Sequence, residues 1–106
     1  MTDAVVAVWI TAPDEETARR LARALVEERL AACVNLVPGL RSIYRWQGRV
    51  EEAAEVLLVA KTQAERFAAL AARVRALHPY ALPEIVALPV QDGSEEYLRW
   101  VVAESR

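Results

Sequence analysis

The chain has 106 residues, 55% of them hydrophobic, with 13 basic and 15 acidic side chains interleaved along it for a formal net charge of -2. That content excludes a disordered acidic tail or linker, and the interleaving leaves no field of one sign for a phosphate backbone or an anionic membrane. The length suits one compact domain, residues 1–106, with a modest core.

Residues 1–6 lack the basic start of a signal peptide and no apolar run is long enough to span a bilayer, so the expected location is cytoplasmic. Cys33 is the only cysteine, which excludes an internal disulfide and any paired-cysteine metal or redox motif. Arginine occurs twelve times against a single lysine, Lys61, with Asn and Met once each. Scarce Asn and Met suit a thermostable protein, while the arginine bias suits a GC-rich genome equally well.

The apolar run at residues 5–10 predicts a short strand. A helix follows, with Pro13 in its first turn and Asp14, Glu15 and Glu16 at the end that favours negative charge. Ala18, Leu21, Ala22, Leu25, Val26 and Leu30 recur at helical spacing, so this helix covers one face of a sheet. Two long strands come next, residues 33–46 and 49–61, joined by Gln47-Gly48 and bent at Pro38-Gly39. Thr62-Gln63-Ala64-Glu65 reads as a capping box opening a second helix, with Phe67, Leu70, Ala71, Val74 and Leu77 as its buried stripe and Pro79 as its stop. Residues 84–90 predict a fourth strand, and Asp92 or Ser94 caps a last helix carrying Tyr97, Leu98, Val101 and Val102.

This order of elements is the split β-α-β arrangement, an α+β ferredoxin-like sandwich with an extra C-terminal helix. Both long helices then lie on one side of a four-stranded antiparallel sheet, leaving the other side bare. Strands of a monomer with one wet face should alternate, yet Val5-Val6-Ala7-Val8-Trp9-Ile10, Val56-Leu57-Leu58-Val59-Ala60 and Ile85-Val86-Ala87-Leu88 do not. A bare apolar sheet marks an interface, so self-association is expected.

No nucleophile and base stand together: the only histidine, His78, precedes a proline, and Cys33 lies in an apolar strand as a small buried hydrophobe. A non-enzymatic role is therefore expected. His78 either complements a helix C-terminus or joins Tyr80 and Glu84 in a proline-stiffened binding loop. Lys61 is either a solvated strand end or a point charge for an anion or for Glu84. Tyr44 and Trp46, beside the hairpin tip, suit interface anchors, which bury area while keeping a polar handle. Gly39, Gly48 and Gly93 are isolated, so no phosphate-cradling loop exists, and the aromatic strand motif that stacks RNA bases is missing.

The ordered motifs Thr11-Ala12-Pro13-Asp14, Glu28-Arg29-Leu30-Ala31-Ala32-Cys33-Val34-Asn35, Ser42-Ile43-Tyr44-Arg45-Trp46-Gln47-Gly48, Lys61-Thr62, His78-Pro79-Tyr80 with Pro83-Glu84, and Tyr97-Leu98-Arg99-Trp100 resemble the CutA divalent-cation tolerance family. The resemblance implies a very stable cytoplasmic homotrimer of ferredoxin-like subunits, its sheets turned toward the threefold axis, with a shape similar to nitrogen-signalling trimers. It also implies a role in divalent metal tolerance, chiefly copper, with His78 as the metal residue. Some copper-binding members carry a cysteine where this chain has Ile10 and a second histidine where it has Leu77. Apolar side chains cannot replace those ligands, so the expectation is weak binding of copper or another divalent cation and no obligatory cofactor. The alternative is a trimeric signalling or small-anion or metabolite-binding module, its ligand in an inter-subunit cleft near Tyr44, Trp46, Lys61, Tyr80 and Glu84. The expected partner is the chain itself, with no nucleic acid and no membrane.

Overall fold

A computed structural model describes residues 4–106. Strand β1 (Val5–Ala12) runs into helix α1 (Glu15–Glu27), whose N-cap is Asp14: its Oδ1 accepts the Thr17 N–H at 2.7 Å. That hydrogen bond holds the Asp14 carboxyl below its usual range. Pro13 thus precedes the cap instead of entering the first turn, because Asp14 supplies the acceptor that the helix start needs. At the other end Arg29 takes φ 60°, its N–H bonding Val26 O at 3.1 Å while Leu30 N–H bonds Leu25 O at 2.8 Å. This is a Schellman closure with arginine in a place that favours glycine. The Arg29 side chain offsets the strain by donating to Ala103 O and Arg106 O, tying α1 to the C-terminal residues.

Strands β2 (Cys33–Trp46) and β3 (Arg49–Gln63) form a long antiparallel hairpin. Gln47 and Gly48 have φ 50° and 80°, the left-handed pair of a two-residue type I′ turn. The expected bend is a bulge: Val37 faces Leu57 and Leu40 faces Glu55, with Gly39 at φ 83° in the surplus.

The capping box does not form. Thr62 stays in β3 opposite Val6, and its buried Oγ1 donates to Leu30 O at 2.7 Å across the core. A 3-10 turn (Ala64–Arg66), with no side-chain cap, leads into helix α2 (Phe67–Leu77). The tertiary acceptor outcompetes the local one because the strand's register points Thr62 inward. Strand β4 (Ile85–Pro89) follows, and helix α3 (Glu95–Glu104) starts at Ser94, which accepts the Tyr97 N–H at 3.4 Å; Asp92 instead accepts from Gly93.

The sheet order is β2-β3-β1-β4, antiparallel throughout, the ferredoxin-like order the sequence predicts. Val6, Val8, Ile10 and Ala12 of β1 pack with Val56, Leu58 and Ala60 of β3 against Leu21, Leu25, Leu70 and Val74 of the two long helices. Val101 and Val102 of α3 close a second cluster with Val5 and Ala32. Val26 of the anticipated α1 stripe and Tyr97 of the α3 stripe are exposed.

The opposite face is covered only at its ends, by α3 over Val5 and Gln63 and by Tyr80 over Glu55, and its middle is open. Trp9 stands across from Val59 and Val86, Ala7 across from Leu88, and Val37 across from Leu57. On that face Trp9 remains 37%, Val37 48%, Val86 49% and Leu88 45% exposed. Single exposed apolar residues are ordinary, but a continuous apolar sheet face is a surface waiting for cover.

Candidate functional site

β1 pairs with β3 only as far as Ala12 and Val56, so residues 40–55 of the β2–β3 hairpin stand clear of the four-stranded sheet as an arm. The molecule is accordingly 46 Å long and only 25 by 23 Å across. The loop at residues 79–84 enters beside the base of this arm, because the strand it feeds begins with Ile85 paired to Ile10. Arm and loop enclose a cleft of about 580 Å³, within the range of small-molecule pockets. Tyr44 and Trp46 line it from one side of β2, Tyr80 and Glu84 from the loop, and Glu55 from β3.

Glu55 is a charged side chain only 8% exposed. Its Oε2 accepts the Tyr80 phenol at 2.9 Å, and no described cation pairs with it. Burial above all, then the bond to Glu55 and its charge, pushes the Tyr80 phenol up to about 12. Tyr80 therefore keeps its proton, and its donor role, throughout the physiological range.

His78 supports the cleft from beneath. Its ring is buried, with Nε2 2.7 Å from Thr11 O and Nδ1 accepting the Tyr80 N–H at 3.1 Å. A carbonyl at one nitrogen and an N–H at the other assign the neutral tautomer protonated on Nε2. Both ring nitrogens are thereby occupied, and the ring also lies 4.8 Å from that of Tyr80. Of the two other positions in the copper-ligand set, Ile10 is fully buried in the core and Leu77 packs against it. Among the described residues, no cluster of three or more His, Cys, Asp or Glu side chains could hold a metal ion.

Four of the five predicted cleft residues meet: Tyr44, Trp46, Tyr80 and Glu84. Lys61 does not join them. It stands opposite Ala7 and Cys33, whereas Ile85 pairs with Ile10, which places Glu84 toward the other end of β1. Four residues of strand separate these levels, about 13 Å at 3.3 Å per residue. The Lys61–Glu84 pair is thus absent, and Lys61 Nζ bonds Asn35 Oδ1 across the hairpin instead. Cys33 is half-buried at the start of an edge strand, more open than a core thiol.

Glu55 and Arg45 also line the cleft, beside Thr11, Ser42, Pro79, Ala81 and Leu82, and these two charged residues escape the sequence reading as cleft residues. Glu55 carried one signal: it begins the same-face run that continues as Leu57 and Val59, an acid at a position of apolar type.

Comparison with known proteins places the chain among close relatives. The sequence model described as CutA1 divalent ion tolerance protein matches residues 6–104. The divalent-cation tolerance protein CutA of Thermus thermophilus is 64% identical over 94 residues, 89% of this chain and 91% of that protein. Mouse Protein CutA is 52% identical over 97 residues, 92% of this chain but 55% of the longer mouse protein. Among solved structures, CutA1 from Oryza sativa superposes with a TM-score of 0.96 at 43% identity, covering 99% of this chain and 96% of that one.

Proposed function

This chain belongs to the CutA1 divalent ion tolerance family, and from that premise we propose that it serves divalent-cation tolerance in the cytoplasm as a non-enzymatic homotrimer. The observation that carries the assembly is the open middle of the sheet face opposite α1 and α2, with Trp9, Val37, Val86 and Leu88. Each of these side chains is already half covered, so completing its burial contributes about 1 kcal/mol, or roughly 4 kcal/mol per subunit for the four. A cyclic arrangement suits the shape as well. A projecting arm on one side and a cleft at its base make different surfaces for the two neighbours, as a heterologous ring requires and a twofold dimer does not.

In this reading the protein holds copper weakly and needs no cofactor. The engagement of both His78 nitrogens and the apolar Ile10 and Leu77 support it. Val86→Asp tests the assembly, since it puts a carboxylate on the exposed face without touching the helix-side core. The variant should fold as a subunit yet sediment as smaller species; an assembly of unchanged mass and stability would refute the role of this face.

A second reading is favoured by a specific observation, the aromatic-walled cleft with a buried carboxylate at Glu55. Here the protein is a ligand-binding or signalling module, its cleft completed by a neighbouring subunit. The charges do not favour the anion that the sequence suggested, because Lys61 lies elsewhere and Glu55 and Glu84 outnumber Arg45 in the lining. Heat evolved or resonances shifted on titrating the assembled protein with candidate small molecules would test it.

A further inference from the structure

We propose that the cleft between the β2–β3 arm and the 79–84 loop binds a small organic ammonium ion, with Glu55 as its counter-charge and Tyr44, Trp46 and Tyr80 as its aromatic wall. This deepens the ligand-binding reading above and rests on it.

The starting observation is an imbalance. Glu55 is more than nine-tenths buried, yet its hydrogen-bond partner is one neutral phenol, and no described Lys, Arg or His lies within ion-pair distance. A buried carboxylate without a cation bears a desolvation penalty that a single hydrogen bond does not remove. Tyr80 cannot be the counter-charge, since a phenol is neutral when protonated and negative when not. A cation entering the cleft supplies what is missing.

The walls select the kind of cation. Tyr44 and Trp46 project from alternate positions on one side of β2, the side of Leu40, which pairs with Glu55. Both are substantially exposed to the cleft, as is Tyr80. Aromatic faces attract alkylated ammonium groups, whose charge is spread over a poorly hydrated surface. Calcium and magnesium need six or more oxygen ligands, or retained water, and the described residues offer no such cluster. Glu84 adds a second carboxylate to the lining. Arg45 is the single cation there, ion-paired to neither acid, and two carboxylates against one guanidinium leave the lining negative.

The test is an NMR and calorimetric titration of the full assembled chain with tetramethylammonium chloride at constant ionic strength, with sodium acetate as the anionic probe. Saturable binding of tetramethylammonium, weakened at least tenfold by Glu55→Gln, is expected. Gln still accepts the Tyr80 hydrogen bond and lacks only the charge. Trp46→Ala, on the exposed arm, should weaken binding severalfold and supplies a second readout if Glu55→Gln fails to assemble. Undiminished binding in both variants would overturn the proposal. Acetate binding without tetramethylammonium binding would overturn it and leave the ligand-binding reading standing; binding of neither would remove both. A guanidinium of a neighbouring copy found on Glu55 in a crystal structure of the assembly would also overturn it.

Discussion

Tyr80→Phe deletes one oxygen atom and with it the hydrogen bond that the Glu55 carboxylate accepts at 2.9 Å. A bond to a charged acceptor contributes about 1.5–3 kcal/mol, and with over a third of Tyr80 exposed the lower end applies, about 1.5 kcal/mol. An unfolding entropy of about 2.1 cal/mol/K per residue gives about 220 cal/mol/K for 106 residues, so Tm should fall by about 7 °C. The same contact sets an alkaline dependence. In the folded chain the phenol titrates at about 12 against an ordinary value of 10.0, so between those values the unfolded chain has lost a proton that the folded chain keeps. Stability present below pH 10 is therefore lost as pH rises toward 12. Water over the exposed part of the ring screens this to about 1 kcal/mol. Scanning calorimetry at neutral and alkaline pH, with the phenolate absorbance followed in parallel, reads both effects. A Tyr80→Phe variant that melts with the wild type and shares its alkaline slope would refute the reasoning.

Leu58→Asp should prevent folding or cost more than about 4 kcal/mol, because the side chain is fully buried among the helix-facing residues; far-UV circular dichroism and chemical denaturation read the loss. Thr62→Val keeps the shape but strands the Leu30 carbonyl, for an expected loss of about 1–2 kcal/mol by urea denaturation; a surface-capping role would predict much less. His78→Ala should destabilise the 79–84 loop while leaving Cu(II) affinity, measured by calorimetry in metal-free buffer, weak and little changed. Submicromolar stoichiometric binding abolished by the substitution would restore His78 as a ligand.

Local chemistry carried most of the fold. Gln47-Gly48 specifies its turn whatever the surroundings, and Pro38-Gly39 can scarcely continue a regular ladder, so the hairpin and its bulge are legible one residue at a time. Non-alternating strands likewise announce a sheet with apolar side chains on both faces, which the exposed Trp9, Val86 and Leu88 display. What depends on register is not legible. Thr62 has the spacing of a cap, and only the pairing with Val6 shows that its hydroxyl belongs to Leu30. Lys61 and Glu84 each end a motif, and nothing in the spacing reveals that they occupy different levels of the sheet. Glu55 resembles the solvated acids Glu51 and Glu52 beside it until the 79–84 loop folds over it and supplies the Tyr80 phenol.

The most direct test of the account is the mass of the wild-type chain in solution, by sedimentation equilibrium over a dilution series in the micromolar range. One species of three times the 11.8 kDa chain mass, unchanged on dilution, is the predicted result. A well-folded monomer at 11.8 kDa, with Trp9, Val86 and Leu88 open to water, would contradict it.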